Sequence, residues 1–209
     1  MHTDVIVVGA GISGISAGYN LKKSCPNKSF LILEGRENLG GTWDLFKYPG
    51  VRSDSDMHTL GFRFKPWMHD KSIADGPSIL NYLNETVDEH SLRENILLNH
   101  NVNSANWNSQ DSIWELEIKD QDGLKNITSS FLFLCGGYYS YSKPHIPNFK
   151  NQENFKGQII HPQFWNNQID CANKKIVVIG SGATAVTLVP AIAETAEHVT
   201  MLQLSLIHI

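Results

Sequence analysis

Asp4–Gly14, with the sequence Asp-Val-Ile-Val-Val-Gly-Ala-Gly-Ile-Ser-Gly, decides the fold of this chain. Its β-branched apolar beginning is typical of a strand that is buried on both faces. The next residues are predicted to form a helix from Ile12 to about Lys23, and Ser29–Leu33 is predicted to form a second strand that ends at Glu34. This order of strand, glycine-rich turn, helix, strand and acidic residue predicts a βαβ unit with a Gly-x-Gly-x-x-Gly turn.

The three glycines of this turn are predicted to have separate roles. Gly9 permits the tight turn, Gly11 lets a pyrophosphate approach the backbone, and Gly14 lets the helix pack closely against the strand. The helix N-terminus offers free N–H groups to phosphates, and Glu34 can accept hydrogen bonds from a ribose diol. These residues therefore predict a dinucleotide-binding site, and the alternative is a glycine-rich turn in an ordinary α/β domain.

The composition is that of a globular protein, because 41% of its 209 residues are hydrophobic and 18% are charged. A net charge of −4 gives no basic surface, so a nucleic-acid partner is not expected. No apolar run approaches the ~20 residues of a membrane span, and a strand that begins almost at residue 1 leaves no room for a signal or transit peptide. We therefore expect a cytoplasmic protein, either free or peripherally associated with a membrane.

The cysteines Cys25, Cys135 and Cys171 are far apart in the sequence and form no Cys-x-x-Cys pair. This spacing argues against a redox dithiol and against a zinc ribbon, and no metal site is predicted. We expect single buried thiols in a reducing compartment.

Residues 35–66 form the least regular part of the chain and are rich in glycine, aromatic and charged residues. Long connections in compact α/β domains are usually functional or disordered, and bulky aromatic residues argue against disorder. The glycine pair Gly40-Gly41 allows the backbone to lie close to a ligand, and Trp43 and Tyr48 are candidates to wall a flat ring. The alternative is a packed surface loop.

The middle of the chain is predicted to contain an amphipathic helix over residues 77–93 and a β-meander over about residues 96–134, inserted into the α/β domain. Asp122-Gly123 is the signal for a hairpin in this meander. Phe131–Cys135 is predicted to be a fully buried strand that ends at Gly136-Gly137, where the backbone could meet a cofactor. The predicted strands of the meander are residues 96–98, 102–107, 113–118 and 127–134.

A second unit with the same pattern follows a linker-like segment of residues 140–154. Lys174–Ile179 is predicted to be a buried strand, followed by Gly180–Ala185, a helix through Glu194 and a strand over residues 199–203. Ala185 replaces the third glycine, and no acidic residue closes the last strand, which disfavours NAD and is compatible with NADP. Two such units indicate a flavoprotein that binds FAD first and takes hydride from a nicotinamide held by the second unit.

Between the two units lies a motif that resembles the fingerprint of the class B flavoprotein monooxygenases. That family includes the Baeyer–Villiger monooxygenases and the N- and S-oxidising flavin-containing monooxygenases. Here Pro162 stands where threonine is commoner, and Asn166 stands where proline or aspartate is usual. The residues that match the fingerprint are Phe155, Gly157, His161 and Trp165.

Within this resemblance His161 is expected to be a structural switch residue near the linker, although a lone histidine is more often a core or surface residue. Residues 40–57 and 180–190 are similar to the bacterial subgroup typified by the mycobacterial enzyme that activates thioamide prodrugs. The resemblance extends from Val5 to Gln203.

The resemblance implies an α/β fold. It consists of an FAD-binding Rossmann-type domain with an inserted β-meander over residues 1–140, a linker with the fingerprint over 141–172, and the start of an NADP-binding Rossmann-type domain over 173–203. Relatives continue with Arg-Ser-Pro, whereas residues 204–209 match what the mosaic-end adapter of transposon-based sequencing libraries encodes. These six residues are predicted to be a non-native tail, and the chain is expected to be an N-terminal fragment.

The resemblance also implies the residues that bind FAD and NADPH. Ser13 and Glu34 would contact the phosphates and ribose of FAD, and Val102 would meet the adenine through its backbone. Asp54 is the candidate catalytic residue, because it would lie beside the flavin and the nicotinamide and control one proton. The residues expected near FAD are Gly9, Gly11, Ser13, Gly14, Glu34, Gly41, Thr42, Trp43, Asp44, Leu45, Arg52, Ser53, Asp54 and Val102. Those expected near the NADPH pyrophosphate are Gly180, Ser181, Gly182, Ala183, Thr184, Ala185, Val186 and Thr187.

The activity implied is an NADPH- and O2-dependent insertion of one oxygen atom through a flavin C4a-(hydro)peroxide. The substrate would be a ketone, which gives an ester, or a thioether or thioamide, which is oxidised at sulfur. The arginine that the family uses would lie beyond the second βαβ start, so this piece alone is expected to be inactive. The alternatives are an N- or S-oxidising enzyme without ketone activity, a disulfide reductase, which the missing Cys-x-x-Cys disfavours, and a non-catalytic FAD-binding domain.

Overall fold

The computed structural model describes residues 1–203, so the predicted tail lies outside the described residues. The chain divides into two compact units, and each is built from two separate segments. The first unit contains Met1–Asp44 and Ile79–Tyr139, and the second contains Leu45–Ser78 and the chain from Ser140 onward. The segment 45–78 thus groups with the second βαβ start, whereas the predicted FAD domain of residues 1–140 includes it. The predicted domain boundaries stay a prediction.

The predicted helices and strands are present, with ends that differ by a few residues. The α-helices are α1 Ile12–Ser24, α2 Thr42–Leu45, α3 Met57–Leu60, α4 Gly76–Glu89 and α5 Ala183–Ala193. Short 3₁₀ helices span Arg93–Asn95, Gln152–Asn154 and Pro162–Phe164. The strands are β1 His2–Val8, β2 Phe30–Leu33, β3 Ile96–Leu97, β4 Asn101–Asn108, β5 Ile113–Asp120, β6 Gly123–Leu134, β7 Lys175–Ile179 and β8 His198–Leu202.

The first unit is built on one six-stranded sheet in the order β3-β2-β1-β6-β5-β4. Strand β1 pairs in parallel with β2 and β6, and α1 is the crossover between β1 and β2. Strands β4, β5 and β6 pair antiparallel and form the meander, with a tight hairpin in which Asp120 pairs with Gly123. The prediction that residues 96–98 belong to the meander was wrong, because β3 pairs in parallel with β2 at the other end of the sheet. This arrangement is an α/β fold of the Rossmann type with an inserted β-meander, as the sequence predicts.

The core of the first unit joins the parallel strands to the meander. Ile6 and Leu33 of the parallel strands are buried against Leu116, Ile118 and Ile127 of the meander. Each fully buried aliphatic side chain of this kind stabilises the fold by about 1.5–3 kcal/mol. The meander is therefore a structural part of the unit that carries the glycine-rich turn.

Two strands that the sequence predicts to be fully buried are exposed on one face, so these predictions were wrong for the described residues. In β6, Phe131 is 63% exposed and Phe133 is 47% exposed. Strand β5 pairs with β6 only as far as Ser129, and α1 packs on β1 and β2, which leaves the end of β6 open. In β7, Val177 and Ile179 are also more than half exposed.

Helix α4 ends at Glu89 rather than near Arg93, where the sequence predicts its end. Ser91 has φ 50°, a left-handed conformation that cannot continue an α-helix. The next residue, Leu92, donates its N–H to the carbonyl of Val87 and closes the helix. The amphipathic pattern continues past this point and could not reveal the stop.

The prediction of buried thiols is wrong for Cys25, which is exposed, whereas Cys135 and Cys171 are half-buried. Cys25 is the C-cap of α1 and lies at a surface turn before Pro26. Partial burial raises the pKa of the Cys135 and Cys171 thiols. The thiol form of both residues is therefore favoured.

The second unit contains the parallel pair β7–β8 and helix α5 between them. Leu188 and Ile192 on α5 form a buried cluster with Phe46 and Tyr48, which come from the segment 45–78. The Tyr48 hydroxyl lies 3.1 Å from Thr187 Oγ1, and both side chains are buried. This contact fastens the segment 45–78 to the helix of the second glycine-rich turn.

Replacing Tyr48 with phenylalanine should remove that hydrogen bond and lower the free energy of unfolding by about 1 kcal/mol. Urea denaturation measures the change. Tyr138→Phe is the matched control, because the Tyr138 side chain is 87% exposed and its loss of a hydroxyl should leave the midpoint unchanged. Equal midpoints for Tyr48→Phe and wild type would show that the contact contributes nothing.

Candidate nucleotide-binding sites

Two glycines of the first turn are required by the protein itself. Gly9 has φ +103°, and a Cβ there would lie 2.5 Å from the carbonyl oxygen of Cys135. A Cβ on Gly14 would lie 1.8 Å from the carbonyl oxygen of Gly9, far inside van der Waals contact. These two residues therefore fix the approach of helix α1 to the strand, as the sequence predicts.

Gly11 differs, because no residue in the described part of the chain requires a glycine there. Its φ of −78° and ψ of −171° are accessible to any residue. A Cβ would meet no atom closer than Gly41 Cα at 3.5 Å, which is an ordinary contact. Gly11 also gives α1 no side-chain cap, and the first turn of α1 carries no acidic residue. The space and the helix N–H groups fit an anionic group such as a pyrophosphate, beside the exposed Ser13.

Glu34 is buried, and its carboxylate accepts hydrogen bonds from the backbone of the first turn and of Arg36. Its Oε2 accepts a hydrogen bond of 2.8 Å from the Ala10 N–H, and its Oε1 accepts one of 3.0 Å from the Arg36 N–H. A carboxylate has about four lone-pair sites, so these two bonds leave acceptor capacity for a ribose hydroxyl. The structure thus gives Glu34 a second role, in shaping the turn, that the sequence does not reveal.

The segment after Glu34 returns to the same turn. The Gly40 N–H donates to the carbonyl of Ala10 at 2.9 Å, which places Gly41 beside Gly11. Helix α2 begins there, with Thr42 and Trp43 half-buried and Asp44 buried. Most of the residues predicted to contact FAD are therefore brought together around one turn.

Arg36 is a site residue that the sequence analysis missed. Its Nη2 lies 2.8 Å from Asp44 Oδ2, and the side chain reaches over the turn that contains Gly41. The sequence signal for this ion pair was Arg36, a cation two residues after Glu34, followed by Asp44 between the apolar residues Trp43 and Leu45. The charge of Asp44 is compensated by this ion pair.

Val102 lies at the entrance of β4, which is anchored to the end of β2. The His100 N–H donates to the carbonyl of Glu34 at 2.8 Å, and the Asn99 N–H donates to the carbonyl of Arg36 at 2.9 Å. Val102 pairs with Ile118 at a register shift of the strand. The backbone near Val102 is thus fixed to the segment that carries Glu34.

The second turn, Gly180–Ala185, lies at the start of α5 and repeats this pattern. Gly180 has φ +120°, whereas Gly182 has φ −74° and ψ −176°. A Cβ on Gly182 would meet no atom of residues 1–203 within 4 Å, so the space again fits an approaching phosphate. Ala185 is buried, and Val186 is exposed. Ser181, Ala183 and Thr184 lie at the open end of the helix, half-buried or exposed.

Thr187 is the exception among the residues predicted to hold NADPH. Its hydroxyl is buried and donates within α5, where the carbonyls of Ala183 and Thr184 lie 3.0 and 3.1 Å away, or contacts Tyr48. The side chain therefore points to the inside of the unit. Its predicted role in the cofactor site is limited to the backbone.

Leu45, Arg52, Ser53 and Asp54 belong to the second unit, and Leu45 is the last residue of α2. Ser53 is buried, with its Oγ accepting from the Ala74 N–H at 3.1 Å. Arg52 is exposed and pairs through its backbone with Asp75, and Asp54 is exposed. Exposed and buried residues alternate over 52–54, so Asp54 lies at the surface next to Ser53, which is fixed by its hydrogen bond with Ala74.

The fingerprint residues have structural contacts within the second unit. Trp165 packs against the buried cluster of Tyr48 and Leu188, and the ring of Phe155 covers Gly157, where a Cβ would lie 2.5 Å from its Cζ. His161 Nδ1 accepts from the Gln163 N–H at 3.2 Å and caps the 3₁₀ helix. The role of His161 as a switch residue stays a prediction.

Partial burial lowers the pKa of His161 below its ordinary value of 6.5. The folded state then binds the proton less tightly than the unfolded state, so the contribution of His161 to stability is present above pH 6.5 and is lost as pH falls toward the lower folded pKa. We expect the NMR titration midpoint of His161 below 6.5. His161→Asn, which caps helices at any pH in this range, should remove the dependence. A midpoint above the ordinary value would contradict this account.

Comparison with protein families gives one match over most of the chain. The model of a family described as pyridine nucleotide-disulphide oxidoreductase matches residues 6–205. The chain is 57% identical to FAD-containing monooxygenase EthA of Mycolicibacterium smegmatis, over 98% of this chain and 42% of that protein. It is 52% identical to probable FAD-binding monooxygenase AlmA of Acinetobacter baylyi, over 98% of this chain and 41% of that protein. The chain thus spans about two fifths of the length of these relatives.

Solved structures give the same result for the fold. A steroid monooxygenase bound to NADP matches 96% of this chain and 38% of its own, with a TM-score of 0.82 and 29% identity. An open structure of cyclohexanone monooxygenase matches 96% of this chain and 39% of its own, with a TM-score of 0.83 and 27% identity.

The helices among residues 1–203 include none that is long and apolar enough to cross a membrane.

Proposed function

The chain belongs to the pyridine nucleotide-disulphide oxidoreductase family, and from its similarity to FAD-containing monooxygenases we propose that it is the FAD-binding part and the beginning of the NADPH-binding part of a flavin-dependent monooxygenase. The first unit would hold FAD, and α5 with its turn would hold the pyrophosphate of NADPH. This assignment of the two turns follows their order in the chain.

One observation carries the proposal: each turn has a middle glycine that none of residues 1–203 requires. Gly11 and Gly182 both have backbone angles open to any residue, and a Cβ on either would meet no protein atom closer than 3.5 Å. A glycine that neither strain nor packing requires is explained by the close approach of a ligand to the backbone. Each such glycine is the residue before a helix N-terminus, where phosphates bind.

The protein's own residues have defined tasks in this proposal. Glu34 would hold a ribose hydroxyl of FAD, and Thr42, Trp43 and Leu45 would line the flavin. Bound FAD would accept hydride from NADPH and activate O2, so that one oxygen atom enters the substrate and the other leaves as water. Asp54, an exposed carboxylate of the second unit, is proposed to supply negative charge and a proton acceptor to the reaction.

Disulfide reduction is not the proposed chemistry. The three cysteines are at positions 25, 135 and 171, and the sequence contains no Cys-x-x-Cys that could pass electrons from a flavin to a disulfide. The substrate is proposed to be a small ketone, thioether or thioamide. Oxidation of nitrogen or sulfur alone, without ketone activity, is the second candidate within the same chemistry.

The test uses the gene product that carries this chain, with NADPH and either a ketone or a thioether. We expect NADPH consumption that depends on substrate, and an ester from the ketone that contains one atom of labelled oxygen gas. Sulfoxide without ester would assign the protein to heteroatom oxidation. A flavin-containing protein that consumes NADPH and forms neither product would contradict the proposal.

A further inference from the structure

The strongest unassigned feature is the ion pair between Arg36 and Asp44 in the first unit. The Asp44 side chain is only 6% exposed and that of Arg36 is 24% exposed, so this charge pair lies largely inside the protein. The guanidinium makes three contacts with one turn: an ion pair of Nη2 with Asp44 Oδ2 at 2.8 Å that lacks hydrogen-bond alignment, and two long hydrogen bonds of 3.4 Å, from Nη1 to the Gly41 carbonyl and from Nη2 to the Asp44 carbonyl. One planar side chain therefore spans both ends of the turn.

This geometry suits arginine better than lysine. The two terminal nitrogens of a guanidinium are fixed in one plane and can bind two separate acceptors at once, whereas a lysine ammonium is a single point charge. A carboxylate buried as deeply as that of Asp44 needs a partner, because an unpaired buried charge strongly destabilises a fold. The buried carboxylate of Asp44 therefore needs the cation, and the geometry of the contacts favours arginine as that cation.

The ion pair of Arg36 and Asp44 is connected to the first glycine-rich turn through the backbone of Arg36. Glu34 accepts from the Arg36 N–H with one oxygen and from the Ala10 N–H with the other. The Gly40 N–H in turn donates to the Ala10 carbonyl, and Gly41 lies against Gly11. Arg36 therefore stands between the residue that shapes the first turn and the turn that lies beside it.

We propose that Arg36 is a positioning residue for the cofactor: through its ion pair with Asp44 it holds residues 41–44 in the orientation that receives a flavin dinucleotide. This inference rests on the proposed function and adds to it the group that sets the flavin side of the site. Arg36 acts through Asp44 and the Gly41 carbonyl rather than by touching the reacting atoms. Arg36 lies in the segment between Glu34 and Gly41, and from there its guanidinium reaches the Gly41 carbonyl and the Asp44 carboxylate.

The test compares four variants of this chain with wild type: Arg36→Gln, Arg36→Lys, Asp44→Asn and the double variant Arg36→Gln/Asp44→Asn. FAD affinity, the visible spectrum of bound FAD and urea stability are measured for each. We expect Arg36→Gln to weaken FAD binding at least tenfold and to blur the fine structure of the flavin band, with a smaller loss for Arg36→Lys. The double variant has no lone buried charge, so it should recover stability relative to Arg36→Gln without recovering FAD affinity.

Amide hydrogen exchange supplies a readout that does not depend on FAD. The Trp43 and Asp44 N–H groups donate to the Gly40 and Gly41 carbonyls, and their exchange should accelerate at least tenfold in Arg36→Gln while Val7 in β1 is unchanged. FAD affinities within twofold of wild type in all four variants, or a double variant that regains both stability and affinity, would overturn the inference. If wild type bound no FAD, the proposed function would fail, and unchanged exchange would then overturn the inference separately.

Discussion

Gly14→Ala should abolish the native packing of the first unit and lower the free energy of unfolding by about 3 kcal/mol or more, the upper end for overpacking. The added methyl group would lie 1.8 Å from the Gly9 carbonyl oxygen and 3.0 Å from its carbonyl carbon. Both are backbone atoms of the tight turn, which cannot withdraw as a flexible side chain could. Helix α1 must then move away from β1 and lose its contacts with the sheet.

Gly136→Ala is the matched control for this change. Gly136 has no positive φ, and among the described residues a Cβ there would meet no atom within 4 Å. Its stability should be unchanged or rise by up to about 1 kcal/mol, because alanine lowers the entropy of the unfolded chain. Urea unfolding followed by circular dichroism gives both values, and a Gly14→Ala protein as stable as Gly136→Ala would refute the close packing of helix on strand.

Gly11→Ala should have the opposite effect to Gly14→Ala: the protein should keep its fold but bind FAD more weakly. Because a Cβ at Gly11 makes only an ordinary contact of 3.5 Å, we expect stability within about 0.5 kcal/mol of wild type. The methyl group would occupy the space that the pyrophosphate needs, so FAD affinity should fall at least tenfold, about 1.4 kcal/mol. Fluorescence titration with FAD measures the loss.

Gly182→Ala is the control for that experiment, since it makes the same change at the same place in the second turn. It should leave FAD affinity as in wild type, because Gly182 belongs to the turn assigned to NADPH. If Gly11→Ala and Gly182→Ala weakened FAD binding equally, the assignment of one cofactor to each turn would be wrong. If neither did, the approach of a ligand would not explain the middle glycines.

Local signals in the sequence were enough to predict much of this fold. The glycine turns, the apolar β-branched strands and the Asp122-Gly123 hairpin each depend on residues close in sequence, and each is found in the structure. The same holds for the parallel order of β1 and β2, since a helical crossover between two strands places them in parallel. These features are fixed by backbone chemistry within about 30 residues, the length of one βαβ unit.

Burial and long-range contacts could not be obtained in the same way. The apolar runs at Phe131 and Val177 predict buried strands, but burial depends on what covers them, and the described residues leave one face of each strand open. The contacts of Tyr48 with Thr187 join residues 139 positions apart. The ion pair of Arg36 with Asp44 is local, and a cation two residues after Glu34 was its only signal in the sequence, which does not show that the side chain turns inward.

The most direct test of the account is an equilibrium titration of the 209-residue chain with FAD, followed by the quenching of flavin fluorescence and by visible absorption. We predict saturable binding of one FAD per chain and a structured flavin band. A chain that is folded by circular dichroism yet leaves the fluorescence and spectrum of FAD unchanged would contradict the claim that the first glycine-rich turn is a dinucleotide site.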